Sequence, residues 1–409
     1  MCAQSERTPI LVAGAGPTGM AAALALRARG LPVTILEADP EDRDRPGSRA
    51  IYVHGSTLRT LQRVHPSLGT DLVDAGLVWP TRRTLWRGDE VFSRTYSTPG
   101  GSGDLPHFTS LPQVRTEEFM LEALAERDVE IHWNSTVETV ESGAEGVTVT
   151  TTNGETHESP YLIGADGGGS AVRAAIGATF DGTQSANAFL IADVDEHPTD
   201  PRPPERVFHY DDPAVGGRNV LLVPFQGGWR VDVQCRVSDD PERMTGDDAI
   251  ADLVGATLGE RYADRVTWVS SYEFKQVLAD RFVDESRRVL LAGEAAHLFA
   301  PFGARGMNSG IADADEAASA IGAAARATTE EVARDEVELC AARREAAAAF
   351  NEAAAGQALE HLQGDGFRTN ARKRLAAAAA DYWEPAGEWL DDAPYGPHDS
   401  PPIVSTGNY

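Results

Sequence analysis

The chain has 409 residues, 42% of them hydrophobic, enough for a large core in two interleaved domains. Its formal net charge of −27, from 36 basic and 63 acidic residues, describes a surface that repels nucleic acid and anionic membranes. No apolar run approaches the roughly 20 residues that span a bilayer, and the N-terminus lacks the basic segment of a signal peptide, so a cytoplasmic location is expected.

Thr8–Gly14 predicts a buried strand, 17–30 an Ala/Leu-rich helix ending in glycine, and 32–37 a second strand, together a βαβ unit. Gly14-x-Gly16-x-x-Gly19 sits at the first strand–helix junction. Gly14 permits the tight turn, Gly16 lets backbone approach a pyrophosphate, and Gly19 lets helix and strand pack closely. Glu37 ends the second strand, where a carboxylate accepts hydrogen bonds from a ribose diol. This pattern marks a dinucleotide site without separating NAD from FAD.

Residues 40–49 read as a charged loop with Pro and Gly. Helical spacing follows at 56–64 and 117–126. Val147–Thr152 alternates, and Asn153-Gly154 suggests a type I′ hairpin turn. Tyr161–Ala165 is a buried strand running into Asp166 and three glycines, with Ser170 and Arg173 behind. Residues 180–280 change character: 189–194, 207–210, 219–224 and 229–236 read as strands of an inserted antiparallel sheet. In the last of these, alternation places Arg230, Asp232 and Gln234 on one face, either solvated or lining a cavity.

Val289–Ala292 predicts another buried strand, then a glycine turn at Gly293, a helix to about His297, and a loop to Arg305. A second helix starts near Gly306, where unpaired N–H groups and the dipole favour negative charge. Ala-rich helix extends to about Leu362, and 384–409, rich in Pro, Gly and Asp, predicts an irregular tail. Cys2, Cys235 and Cys340 are far apart, which argues against disulfides or a zinc site, and no metal is expected.

In this order, GAGPTG with Glu37, GADGGGSAVR and LAGEAAHLFAPFGARGMN resemble the FAD-dependent aromatic hydroxylases of the para-hydroxybenzoate hydroxylase type. The resemblance covers roughly residues 8–325. It implies an α/β fold: a Rossmann-like, glutathione-reductase-type FAD domain, an inserted antiparallel-sheet substrate domain, and C-terminal helices. The expected division is FAD domain at 1–75, 101–180 and 281–330, substrate sheet at 76–100 and 181–280, helical region at 331–383, and tail at 384–409.

Position by position, the resemblance assigns Gly14, Gly16, Pro17 and Gly19 to the pyrophosphate, and Glu37 with Ala38 to the adenosine ribose. It assigns Val137 to the adenine, Gln113 with nearby Arg115 to the ribityl–phosphate region, and Arg49 to a mobile loop touching the cofactor. Asp166 belongs to a motif linked to both FAD and NAD(P)H. Glu294 stands where the family usually has aspartate, and Ala300 replaces the first of two prolines. Pro301, Gly306, Met307 and Asn308 are expected along the isoalloxazine edge, and the helix after Ala314 departs from the family pattern.

The implied activity is NAD(P)H- and O2-dependent hydroxylation of a phenolic or polycyclic aromatic small molecule, with FAD held non-covalently and NAD(P)H a transient cosubstrate. Arg230, Tyr210 and His54 are the candidate catalytic residues; His209 is a further possible base, and His297 reads as structural. Two alternatives stay open. A flavin-dependent halogenase would carry a Trp-x-Trp-x-Ile-Pro-like segment and a reactive lysine, whereas Lys275 and Lys373 lie outside the motifs. The other is a non-catalytic FAD-fold binding protein.

Overall fold

The computed structural model describes residues 8–96, 105–236, 238–364 and 366–397, without the side chains of 184–187. Its centre is a parallel five-stranded sheet in the order Val289–Leu291, Leu162–Gly164, Ile10–Ala13, Val33–Leu36, Glu130–His132. The four residues of Ile10–Ala13 are all buried, as expected for a strand covered on both faces. Val12 pairs with Ile163 on one side and Ile35 on the other.

The helix Pro17–Ala28 starts on Pro17, whose missing N–H costs nothing in the first turn. A Cβ on Gly19 would lie 1.9 Å from the Gly14 carbonyl oxygen, so the close packing expected at this junction requires glycine. The helix also packs on Arg305–Ala324, where Gly310 closes on Thr18.

Beside the parallel sheet lies a three-stranded antiparallel sheet, Val137–Gly143, Gly146–Thr151 and Thr156–Ser159. Its hairpin departs from type I′. Gly154 N donates to Thr151 O at 2.8 Å, and of Asn153 and Gly154 only the glycine has positive φ (+85°). This is a three-residue loop, a turn followed by a left-handed glycine. Asn153 Oδ1 accepts from Thr151 Oγ1 and Glu155 N, which favours this geometry.

The inserted sheet has eight strands, ordered His297–Leu298, Val266–Ala279, Phe180–Asp195, Gly228–Gln234, Arg218–Phe225, Glu205–Asp212, Thr81–Trp86, Asp89–Thr95. The expectation of an all-antiparallel sheet needs one correction: Glu205–Asp212 runs parallel to Thr81–Trp86. The chain reaches the second strand long after the first, so a crossover connection is available. Alternation divides the faces. Leu190, Ala192, Val194, Trp229, Val231 and Val233 pack a second core under the helix Asp247–Leu258, while Phe189, Ile191, Arg230 and Asp232 face the other way, into a cavity.

The helix Glu330–Gln363 ends at Gly364, left-handed at φ +63°. The expected irregular tail is also corrected, in part: Glu384–Asp392 is helical, begun by Glu384-Pro385, and a 3-10 turn follows at Ala393–Tyr395. Asp391, fully buried, accepts from Arg206 and Thr84 and pairs with Arg82, fastening this segment to the sheet. Residues 398–409 fall outside the described residues. Among the described residues no helix is long and apolar enough to cross a membrane.

Candidate functional site

A cavity of about 1680 Å³ runs between the C-terminal edge of the parallel sheet and the inserted sheet. One end is built by the glycine turn. Gly14 takes φ +98°, and a Cβ there would lie 2.4 Å from the Ala165 carbonyl oxygen. Gly14, Gly16 and Pro17 line the cavity, whereas a Cβ on Gly16 would meet no protein atom within 4 Å. The first turn of Pro17–Ala28 therefore offers bare backbone N–H groups to an anion.

Glu37 and Ala38 line the same end. Glu37 Oε1 accepts from Asp39 N at 3.0 Å, Oε2 accepts from Ala15 N, and Arg43 lies 3.3 Å away. These contacts fix the carboxylate at the strand end. Val137 lines the adjoining wall with Ser135 and Thr136, while Gly19 serves packing alone. Asp166 also lines the cavity. It accepts from Ser170 Oγ (2.5 Å) and Val172 N (3.1 Å), so it caps the helix Ala171–Ala175 as well.

At the other edge, Val289–Leu291 leads into Gly293 (φ +61°) and a 3-10 turn, Gly293–Ala295. The helix expected up to His297 is absent; His297–Leu298 is instead an edge strand paired with Leu278 and Val277. Ala304 adopts left-handed φ (+52°) and starts the helix Arg305–Ala324 with no side-chain cap. Pro301, Gly306 and Met307 line the cavity, and a Cβ on Gly306 would meet nothing within 4 Å. Two uncapped helix N-termini thus face one space, each across a glycine that leaves it open. That arrangement fits a dinucleotide with a pyrophosphate at one end and a ring able to carry negative charge at the other.

Asn308 does not line the cavity. Its Oδ1 accepts from His54 N (2.9 Å) and Thr57 Oγ1 (2.7 Å), and its Nδ2 donates to Tyr52 O and Ala304 O. It ties the helix start to the strand Tyr52–His54. Behind the turn, buried Asp313 accepts from Gly293 N (3.0 Å) and Arg344 Nε (2.6 Å), and His297 Nε2 lies 2.6 Å away. Burial opposes ionisation of Asp313, but Arg344 and His297 outweigh it and hold the carboxyl well below the usual carboxylate range. Glu294 lines the cavity with its side chain exposed to it.

The loop bearing Arg49 is fastened to the inserted sheet. Ser48 N and Oγ donate to Asp193 (both 2.6 Å), and Arg230 Nη1 donates to Arg49 O. Arg49 itself sits at φ +52°. Gly47, at φ +83°, packs so closely on the Trp268 indole that a Cβ would lie 2.3 Å from a ring atom. Burial raises the Asp193 carboxyl above its ordinary range, against the pull of Ser48 and Arg230. Gln113 lines the cavity and links this loop to its helix, accepting from Ala50 N (3.4 Å) and donating to Glu117 (2.8 Å). Arg115 points elsewhere: it is exposed and pairs with Glu118, so the expected cofactor role is corrected.

Of the catalytic candidates, Arg230 and His54 line the cavity and Tyr210 does not. Tyr210 is 1% exposed, donates to Leu390 O (2.7 Å) and meets His361 Nε2 at 2.8 Å. Tyr210 shares its face of the sheet with Arg206 and Phe208, which do line the cavity, but its end of the strand is covered by the C-terminal segment. His209 is held by Asp212 and Gly88 N. Arg230 bonds Asp232 at 2.7 Å, and His54 Nε2 lies 3.1 Å from Gly303 O.

The aromatic lining of the chamber was not foreseen: Tyr52, Trp79, Phe189, Tyr272, Phe274 and Phe302. Trp79 is buried, and its Nε1 has no hydrogen-bond partner among the described residues. These residues are scattered along the sequence with no common spacing, and only the fold gathers them. The far rim carries Arg82, Arg94, Arg206 and Tyr395.

An FAD binding domain family model matches residues 7–350. A 12-dehydrotetracycline 5-monooxygenase/anhydrotetracycline 6-monooxygenase of Streptomyces rimosus is 32% identical over 329 residues, covering 75% of this chain and 61% of that protein. Among solved structures, an anhydrotetracycline hydroxylase from Streptomyces rimosus matches at 26% identity and TM-score 0.69, covering 95% of this chain and 76% of the other. A p-nitrophenol 4-monooxygenase from Pseudomonas putida shares the fold at TM-score 0.77 and 24% identity, covering 95% and 98%. The chain spans about three-fifths of the length of the first curated relatives it matches (61%, 61% and 55%). The chain belongs to the FAD-binding-domain family, and FAD is its cofactor.

Proposed function

We propose that this member of the FAD-binding-domain family hydroxylates a phenolic or polycyclic aromatic small molecule, using NAD(P)H and O2. The observation that carries the reading is one continuous cavity joining the Gly16 turn, the open helix start at Gly306 and the aromatic chamber. Relatives named as monooxygenases of 12-dehydrotetracycline and anhydrotetracycline, and of para-nitrophenol, support it.

Bound FAD would supply hydride acceptance from NAD(P)H and activation of O2. The chain supplies placement, charge stabilisation and water exclusion. Gly14, Gly16 and Pro17 receive the pyrophosphate, Glu37 and Ala38 the ribose, and Val137 the adenine. Backbone N–H groups at Gly306 and Met307 stabilise negative charge on the flavin ring, with Glu294 and Pro301 beside it. Asn308 acts through the strand Tyr52–His54. Arg49 and Gln113 close the cofactor side, and Asp166 borders it.

Phe302 meets Phe189 and Phe274 edge to face, those two tilt against each other at 41°, and together they keep water from the reacting ring. Trp79 Nε1 donates to a substrate oxygen, and the Arg230 guanidinium favours a phenolate. His54 Nε2 donates to Gly303 O, so the ring's basic nitrogen, Nδ1, is the one that accepts the phenolic proton. We place the protein in the cytoplasm, consistent with free, buried Cys235 and Cys340.

A panel of phenols is tested for faster NAD(P)H oxidation, with peroxide quantified in the same samples. A true substrate gives hydroxylated product with little peroxide. Absence of bound FAD in purified protein, or no acceleration by any phenol, would overturn the reading.

A further inference from the structure

We propose that His132, Glu155 and His157 form a site for a borderline transition-metal dication such as Zn2+, on the outer side of the cofactor domain. One ligand atom from each residue lies within 4.8 Å of the others. Glu155 and His157 are two apart, at the start of the strand Thr156–Ser159, so both point to one face. His132 ends the edge strand Glu130–His132 of the parallel sheet. The three therefore come from two different sheets, and none lines the cavity.

The arrangement suits a metal better than an ordinary ion pair. Glu155 Oε2 lies 3.7 Å from His157 Nε2 and 4.0 Å from His132 Nδ1, too long for hydrogen bonds. A tetrahedral Zn2+ at about 2.0–2.1 Å from each donor sets donor separations near 3.3 Å, so these two gaps need to close by roughly half an ångström. Glu155 is exposed and able to swing that far. The imidazole rings stand edge to face, centroids 5.1 Å apart, with neither stacked over the other.

His157 Nε2 is buried with no hydrogen-bond partner among the described residues. His132 Nε2 lies 3.0 Å from Glu130 Oε1, leaving Nδ1 for the metal; a carboxylate behind a ligating imidazole fixes its tautomer and orientation. Two imidazoles and one carboxylate select Zn2+, Ni2+ or Cu2+ over Mg2+ or Ca2+, with water at the fourth position.

The ion would staple the three-stranded sheet to the parallel one, just behind the ribose wall. His132 O accepts from Glu37 N at 2.9 Å, and Ser135, Thr136 and Val137 follow in the cavity lining.

Equilibrium dialysis of the untagged holoprotein against micromolar Zn2+ tests this. The wild type is expected to bind one equivalent. The double variant His132→Gln/His157→Gln should bind at least tenfold more weakly while keeping its FAD and circular dichroism. His209→Gln, at a histidine elsewhere, should bind as the wild type does. Zn2+ should raise the melting temperature of the wild type and leave that of the double variant unmoved. Glu155→Gln, at an exposed position, should also weaken binding, which decides the matter if the double variant folds poorly. No stoichiometric Zn2+ binding, or equal binding by Glu155→Gln and wild type, overturns the proposal.

Discussion

Glu294 faces the cavity beside the turn at Gly293, one methylene longer than the aspartate usual in the family it resembles. In the FAD placement proposed above, a carboxylate there orients hydroxyl groups of the ribityl chain. Glu294→Ala is expected to weaken FAD binding about tenfold, roughly 1.4 kcal/mol, and Glu294→Asp to keep it. Flavin fluorescence titration measures both, and equal affinity of Glu294→Ala and wild type would remove the residue from the site.

Asp313 acts behind the same turn. Replacing it with asparagine leaves buried Arg344 without its charge partner, and such losses cost about 3–5 kcal/mol. The Asp313 carboxyl sits below its unfolded value, so its stabilisation is full above an unfolded pKa of about 3.9 and fades as pH falls toward its folded value. Urea unfolding of Asp313→Asn should show the lower stability at neutral pH and a smaller further loss in acid.

Among the elements, the loop at 44–50 is the one whose position matters most. Family resemblance presents it as mobile, yet here Ser48–Asp193 and Arg49–Arg230 fasten it to the inserted sheet, with Gly47 under Trp268. These contacts hold the Arg49 backbone at the cavity wall. Asp193→Ala removes both Ser48 bonds, and FAD should then dissociate several-fold faster, read by stopped-flow flavin fluorescence. An unchanged rate would show that the loop does not gate the cofactor.

The C-terminal helices carry a separate pH dependence. His361 is pushed down to about 3, first by burial and then by Lys373 and Arg372, and it meets the Tyr210 hydroxyl. Its folded value lies below the unfolded one, so stability is full above about pH 6.5 and falls as acid approaches the folded value. Between pH 6 and 4 the wild type should lose about 1 kcal/mol per pH unit from this group, and His361→Gln should flatten that slope in chemical denaturation.

At the scale of the molecule, function depends on a cavity that no single domain encloses. The parallel sheet supplies two helix starts, the inserted sheet supplies Phe189, Tyr272 and Phe274 of the aromatic wall, and the segment 384–397 closes the far rim through Asp391. Asp391→Asn leaves buried Arg206 poorly compensated and should loosen that rim. In steady-state assays with a hydroxylated phenol, the variant should release more peroxide per NAD(P)H consumed. Unchanged coupling would confine Asp391 to stability.

Much of this was legible in the chain itself, because it rests on local chemistry. Gly14 and Gly293 need positive φ, Gly19 needs the absence of a side chain, and buried parallel strands need continuous apolar runs; each leaves a mark within a few residues. Alternation in 229–234 even placed Arg230 and Asp232 together, without deciding whether water or a cavity lay beyond them. Tertiary contacts alone decided the rest. Tyr210 was lost to His361 and Leu390, Arg115 to Glu118, and Asn308 to the strand Tyr52–His54. The tail from Glu384 became helix because Arg206, Arg82 and Thr84, remote in sequence, satisfy a buried Asp391. The physical reason is range: backbone conformation and hydrophobic period are set by neighbouring residues, whereas burial, charge pairing and the direction a side chain faces are set by residues that meet only once the chain has folded.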